Sequence, residues 1–384
     1  MIKRLSVIAA SLCVVAAGCA GVGEVPTAPA IVGGASSLAT EQRVIGDGAI
    51  TTAMLLPISG GGSASTLAQS FQNAAELALE EVGQDNVRII VLDTGGESDQ
   101  ARAAAEAAIS NGAQLIMGPV FSPAVAGASG PARTAGVRVI AFSTDASVTG
   151  RGVYLLSFLP RQDASRIVSF AGERGVKAFA ALVPDNGYGL VMEAAFRESV
   201  ASAGGRVIGV ERYGEDGIDA AVTALSARGP FEALFVPGGG DDPANVARAL
   251  RAQGLDARLL GSGQWDNPAV ISAAGLDGSW FPGPQKGGYD AFSKRYEARF
   301  GSVPPRTASL VYDATLLANG LVGARGPGAF QAASLQSSDG FIGVDGVFRL
   351  TSDGLSQRGL AVYEVSGGTA KQIAPAPTQF SRTF

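Results

Sequence analysis

The chain has 384 residues, with 29 basic and 34 acidic side chains and a formal charge of −5. It contains no His, which excludes His-based triads and HExxH zinc sites. The acidic balance, without any basic run, argues against nucleic acid as a partner.

Residues 1–18 read as an export signal. Lys3 and Arg4 give a positive start. The apolar run from Leu5 to Ala17 is shorter than the roughly 20 residues of a membrane-spanning helix. It ends in "AAGC", which resembles a bacterial lipobox and implies a lipid on Cys19. A plain signal peptide cut nearby is the alternative. Ala20, rather than Asp, follows the Cys, so the outer membrane is expected over the inner. Cys13 leaves with the signal, and the one remaining Cys cannot form an intramolecular disulfide. Residues 19–48, rich in Ala, Gly, Val, Pro and Ser, read as a flexible tether, with structure beginning near Ala49.

Short apolar runs then alternate with helical patterns. "ITTAMLLP" reads as a strand, and Leu67, Phe71, Ala75, Ala78 and Val82 recur at helical spacing. "VRIIVLD", an Ala-rich helix over 98–111, "QLIMG", a helix from Pro123 and "VRVIAF" repeat the unit. This βαβ order predicts a parallel sheet covered on both faces. A second series follows Tyr154, with strands "KAFAALVP", "GRVIGVERY", "FEALFVP" and "ARLLGS" and helices at 187–203, 217–227 and 242–253. Two such series predict an α/β protein of two Rossmann-like lobes. Helical patterns at 288–300 and 306–323 come next, then "GFIGVDGVFRL" and "LAVYEV" as strands joined by Gly–Asp turns. Residues 374–384 read as a loose tail.

Ligands of an open parallel sheet bind beyond the carboxyl ends of its strands. That rule selects the segments 57–65, 93–97, 118–122 and 143–149 in the first lobe, and 184–189, 237–242 and 261–266 in the second. In that order, "LLPISGGG", "GPVFSP", "VIAFSTD", "DNGYG" and "LLGSGQWDNP" resemble the type I periplasmic-binding fold. The leucine/isoleucine/valine-binding proteins and the lipoproteins called penicillin-binding protein activators are the groups most like it. "YDATLLANGL" and "GFIGVDGVFRLTSDGLSQRGLAVYEV" are more similar to the activators.

The resemblance implies two lobes joined by three hinge crossings, 49–157 with 284–325 and 158–283 with 326–373, closing on a ligand. It also implies that Ser122, Ser143 and Thr144 hold a solute's carboxylate, that Tyr188 lies over the solute and that Asp277 takes its ammonium. Trp265, following a strand end, is expected to stack on a ligand. Asp145 departs from the pattern: it stands where amino-acid binders present a hydroxyl to the ligand's carboxylate. A cationic, hydroxylated or amide-bearing ligand would suit it better, as would no ligand. Structural readings stand beside these. Ser122 before Pro123 is also a helix cap, and Asp145 is also a turn residue. Asp313 reads as a structural acid near the hinge.

Asp93, Asp145, Asp185 and Asp277 lack an accompanying nucleophile motif, and no GxxxxGK[ST], SxxK or EF-hand loop occurs. The expectation is a lipoprotein without enzymatic activity, cofactor or metal. Resemblance to the activators implies a peptidoglycan synthase as partner. Resemblance to the leucine-binding group implies an ABC permease instead, with a small polar ligand.

Overall fold

The computed structural model describes residues 43–214 and 217–380. Cys19, the leader and most of the expected tether lie outside the described residues.

The first series runs β1 (Val44–Ile45), β2 (Ile50–Leu56), α1 (Gly62–Val82), β3 (Val87–Asp93), α2 (Ser98–Ser110), β4 (Leu115–Met117), α3 (Ser122–Ala135), β5 (Arg138–Ala141) and β6 (Val153–Leu155). These strands form one sheet in the order β1-β3-β2-β4-β5-β6. All pairs are parallel except β1–β3. Strand pairing thus begins at Val44, inside the stretch expected to be tether. Val44 pairs with Ile90, and Ile45 is buried.

Period-2 alternation explains the two covered faces. Met54 and Leu56 of β2 enter a core with Phe71, Ala75 and Ala78 of α1, whereas Ala53 and Leu55 enter the opposite core with the alanines of α2 and α3. Those alanines let α2 and α3 lie close together. A Cβ on Gly127 of α3 would stand 2.0 Å from the Ser98 carbonyl oxygen at the start of α2. Gly127→Ala must push these helices apart, at an expected cost of about 1–3 kcal/mol. Urea unfolding should show a lowered midpoint; an unchanged midpoint would contradict the packing.

The second series runs α4 (Pro160–Glu173), β7 (Ala178–Pro184), α5 (Gly187–Ser202), β8 (Arg206–Tyr213), α6 (Ile218–Ser226), β9 (Ala233–Phe235), α7 (Asp242–Ala252), β10 (Arg258–Leu260), α8 (Pro268–Ile271) and β11 (Trp280–Gly283). There follow α9 (Lys286–Phe300), α10 (Ala308–Arg325), α11 (Ala332–Leu335), β12 (Phe341–Gly343), β13 (Gly346–Leu350), β14 (Ser356–Arg358), β15 (Ala361–Ser366) and β16 (Thr369–Ala374). The second sheet has the order β16-β15-β11-β10-β9-β7-β8, and β12, β13 and β14 form a small third sheet.

The tail is shared between the lobes. Ala329, Phe330, Leu335, Phe348 and Leu350 bury in the first lobe's core with α9 and α10. Val362 and Tyr363 of β15 bury in the second lobe's cores. The segment 326–350, expected in the second lobe, therefore packs on the first. The expected loose tail is also partly packed. Ala374 closes β16, Ala376 is buried, and the Arg349 guanidinium lies 4.6 Å from the Phe380 ring centroid.

The chain crosses between lobes after β6, after β11 and between β14 and β15. Side chains of α4 fasten the third crossing. Gln162 accepts from Arg358 N–H at 3.1 Å, and Arg166 donates to the Leu360 carbonyl at 2.8 Å.

Candidate functional site

The first crossing leaves the carboxyl end of β6 and enters the amino end of α4 within five residues. The second leaves the carboxyl end of β11 and enters α9. Both sheets therefore turn their carboxyl edges toward the hinge, the side on which an open parallel sheet binds its ligands.

On the first lobe, two expected residues, Ser143 and Asp145, come together. Phe121 occupies the cap position of α3 and Ser122 is the helix's first residue, so the cap reading of Ser122 is not the arrangement present. Asp145 donates its N–H to Ser143 Oγ at 3.1 Å and accepts from Ser147 N–H at 2.9 Å and Ser147 Oγ at 2.7 Å. Bonds from the Ser147 hydroxyl and amide hold the Asp145 carboxyl below the usual carboxylate range. Ser143 is buried, and Thr144 is exposed at the loop's tip. Nearby, Phe121 and Ile58 expose apolar surface at the rim.

On the second lobe, Asn186 caps α5 through its side chain, which accepts from Gly189 N–H at 3.0 Å. This sets Tyr188 in the first turn. Its hydroxyl lies 3.1 Å from Ser262 Oγ and 3.2 Å from the Pro237 carbonyl. Ser262 is fully buried and donates to Pro237 at 2.7 Å. Burial pushes the Tyr188 phenol up to about 12, so it remains a neutral hydroxyl at ordinary pH.

Two expected residues do not join the site. Trp265 is fully buried, its Nε1–H within 3.0 Å of the Val236 and Gly238 carbonyls. It has no free face for stacking, because it lies beneath the strand-end loops. Asp277 precedes β11, at the amino edge of the sheet, and accepts from Gly367 N–H at 2.7 Å in the β15–β16 turn. It is a turn acceptor on the side away from the cleft.

Other residues occupy positions that sequence reasoning left empty. Asp163, in the first turn of α4, accepts from Gly263 N–H at 2.9 Å. Burial pushes its carboxyl up to about 7 against the opposing effect of that bond. Asp266 pairs with Lys286 at 2.7 Å beside the second crossing. The signal for Asp163 was Pro160 at a helix start, followed by an acid in the first turn. Among the described residues, no group of His, Cys, Asp and Glu is placed to hold a metal ion. The arrangement offers hydroxyls, backbone amides and carboxylates to a polar solute.

The family model described as "Periplasmic binding protein" matches residues 49–370. No curated protein sequence matches the chain. Among solved structures, a Rhodospirillum rubrum protein named for a branched-chain amino acid ABC transporter is similar at TM-score 0.74 and 21% identity, over 84% of this chain and 99% of that one. A branched-chain amino acid ABC transporter periplasmic ligand-binding protein from Burkholderia xenovorans gives 0.65 and 19%, over 85% and 94%. A branched-chain amino acid transporter substrate-binding protein from Streptococcus pneumoniae, in complex with isoleucine, gives 0.57 and 21%, over 85% and 99%. At these identities the likeness carries the fold. Joined to the family match over most of the chain, it shows that this protein belongs to the periplasmic binding protein family, with the two-lobed type I architecture.

Proposed function

We propose that the protein is a non-enzymatic, extracytoplasmic receptor that captures a small polar solute for an ABC importer. The observation that carries this reading is that polar loops follow the strand ends of both lobes on the side of the crossings, with Ser143 and Asp145 bonded in one and Tyr188 and Ser262 bonded in the other. The similar structures support it, being named for substrate-binding proteins of ABC transporters. A lipid on Cys19 would tether such a receptor at the membrane, with the outer membrane favoured by Ala20.

Regulation of a peptidoglycan synthase is the second reading. Its support is the segment 341–366, which forms the β12–β13 hairpin and the third crossing, together with the lipobox. None of the similar structures reported above adds to it.

A receptor gains melting temperature from its solute by mass action, about 2.7 kcal/mol at a hundredfold excess over Kd. A thermal-shift screen with amines, amino acids, amides and aromatic acids should yield such a solute. Affinity capture from envelope should recover permease subunits. Capture of a penicillin-binding protein, with no thermal shift from any solute, would overturn the importer reading in favour of the second.

A further inference from the structure

Arg358 is a buried cation that bonds nothing. It is 7% exposed, and its Nε, Nη1 and Nη2 all lack a hydrogen-bond partner among the described residues. Its guanidinium lies 5.0 Å from the Phe158 ring centroid and 5.3 Å from that of Phe348. Native proteins seldom leave buried donors unused, so an acceptor is owed here. The same two rings lead to two carboxylates. Phe158 also carries the Arg306 guanidinium at 5.5 Å, and Arg306 pairs with Asp345. Phe348 lines a small recess together with Asp313. Asp345 is fully committed, with one oxygen on Arg306 and the other accepting from the Ser309 hydroxyl at 2.6 Å. Asp313 is not. One of its oxygens takes the Val344 N–H at 2.8 Å, and the other is buried without a partner. One cluster thus holds an unused buried donor and an unused buried acceptor of opposite charge.

The two groups belong to different sides of the hinge. Asp313 is on α10, whose side chains fill the core of the first lobe. Arg358 ends β14, immediately before the third crossing, and Gln162 of α4 in the second lobe holds its amide at 3.1 Å. On its other flank, β14 pairs with β13, which packs on the first lobe. Phe158, against the guanidinium, lies in the first crossing. Rotation of the lobes is therefore taken up around Arg358 and moves it relative to Asp313.

We propose that Arg358 and Asp313 are a hinge latch: their ion pair is open in the arrangement described, closes when the crossings bend, and holds the lobes in a second arrangement. The latch requires Asp313 to be ionised. The charged groups facing Asp313 are Arg358 from β14, Arg306 from the segment before α10 and Asp345 from the β12–β13 turn. Burial outweighs them and raises the carboxyl to about 7. The latch is available above that pH and released below it.

Spin labels on the exposed Ile58→Cys and Leu190→Cys, in a chain with Cys13→Ser and Cys19→Ser, test this with no solute added. Pulsed dipolar spectroscopy should resolve two inter-label distances at about pH 8 and only one at about pH 5. Asp313→Asn carries no charge at either pH and should lose the second distance at both. Arg358→Met replaces the cation by an unbranched apolar chain and should do the same. The two substitutions together should do no more than either alone. A single, unchanging wild-type distance overturns the latch. So does a second distance that survives either substitution, or a pH dependence that survives Asp313→Asn and so belongs to another acid such as Asp163, also raised to about 7. Because no solute is present, each of these outcomes leaves the receptor reading standing.

Discussion

Trp265→Ala should destabilise the protein by about 3–5 kcal/mol, the usual range for removing a large buried aromatic. Trp265 is fully buried among Leu234, Val236, Val246 and Phe281 in the core of the second lobe. Its Nε1–H lies within 3.0 Å of two carbonyls, Val236 and Gly238, and the strand-end loop passes directly over the ring. A Cβ on Gly261 would stand 2.3 Å from that ring. Truncation therefore opens a cavity and leaves buried carbonyls without a donor. Trp265→Phe refills most of the volume but not the hydrogen bonds, so its loss should be smaller, about 1–3 kcal/mol. Urea unfolding followed by circular dichroism measures both. Unchanged stability accompanied by lost solute binding would instead restore Trp265 as a stacking platform and contradict its place in the core.

Asp313→Asn should make the protein more stable at neutral and alkaline pH, with little effect near pH 4. Asp313 is 2% exposed on α10. One carboxyl oxygen accepts from Val344 N–H at 2.8 Å, and the other has no hydrogen-bond partner among the described residues. Gly343 makes room for it, since a Cβ there would lie 2.2 Å from the unpartnered oxygen. Burial raises the carboxyl from 3.8 to about 7, against the pull of buried Arg358. A raised pKa means that the folded state binds more protons than the unfolded state between these values. The contribution to stability is thus fully present below pH 3.8 and lost as pH rises through about 7. The slope is up to about 1.4 kcal/mol per pH unit, which accumulates to about 4 kcal/mol. Asn keeps the acceptor for Val344 and carries no charge, so the variant should lack this slope. Asp163, raised to about 7 in the same direction, keeps its own slope in the variant. Unfolding free energies measured from pH 4 to 8 check the difference, and parallel curves for the two proteins would contradict it.

The sequence made the alternation of strands and helices over 50–141 legible because apolar period and turn residues agree there. The misses have physical causes. β11 carries Pro282 in "WFPG", and Pro284 follows, so the sequence offered no strand pattern for a buried strand between β10 and β15. The resemblance placed Asp277 on the ligand, whereas it precedes β11 at the opposite edge of the sheet. α4 was also unread, which hid Asp163 and the clasp of Gln162 and Arg166 on the third crossing.

In the site, spacing along the chain brought Ser122, Ser143 and Asp145 to one loop cluster, and the Gly-flanked Tyr188 to a helix start. It did not give the direction of Trp265. A Trp after a strand end can turn up toward solvent or down into the core, and only the packing of α7 and α8 beneath the loop decides.

A solute receptor of this architecture closes its two lobes on the solute. Spin labels on Ile58→Cys and Leu190→Cys, in a chain with Cys13→Ser and Cys19→Ser, place one exposed probe on the cleft rim of each lobe. Pulsed dipolar spectroscopy should show the distance between them shorten when a solute that raises the melting temperature is added at saturation. A distance distribution that such a solute leaves unchanged would contradict closure of the lobes on it.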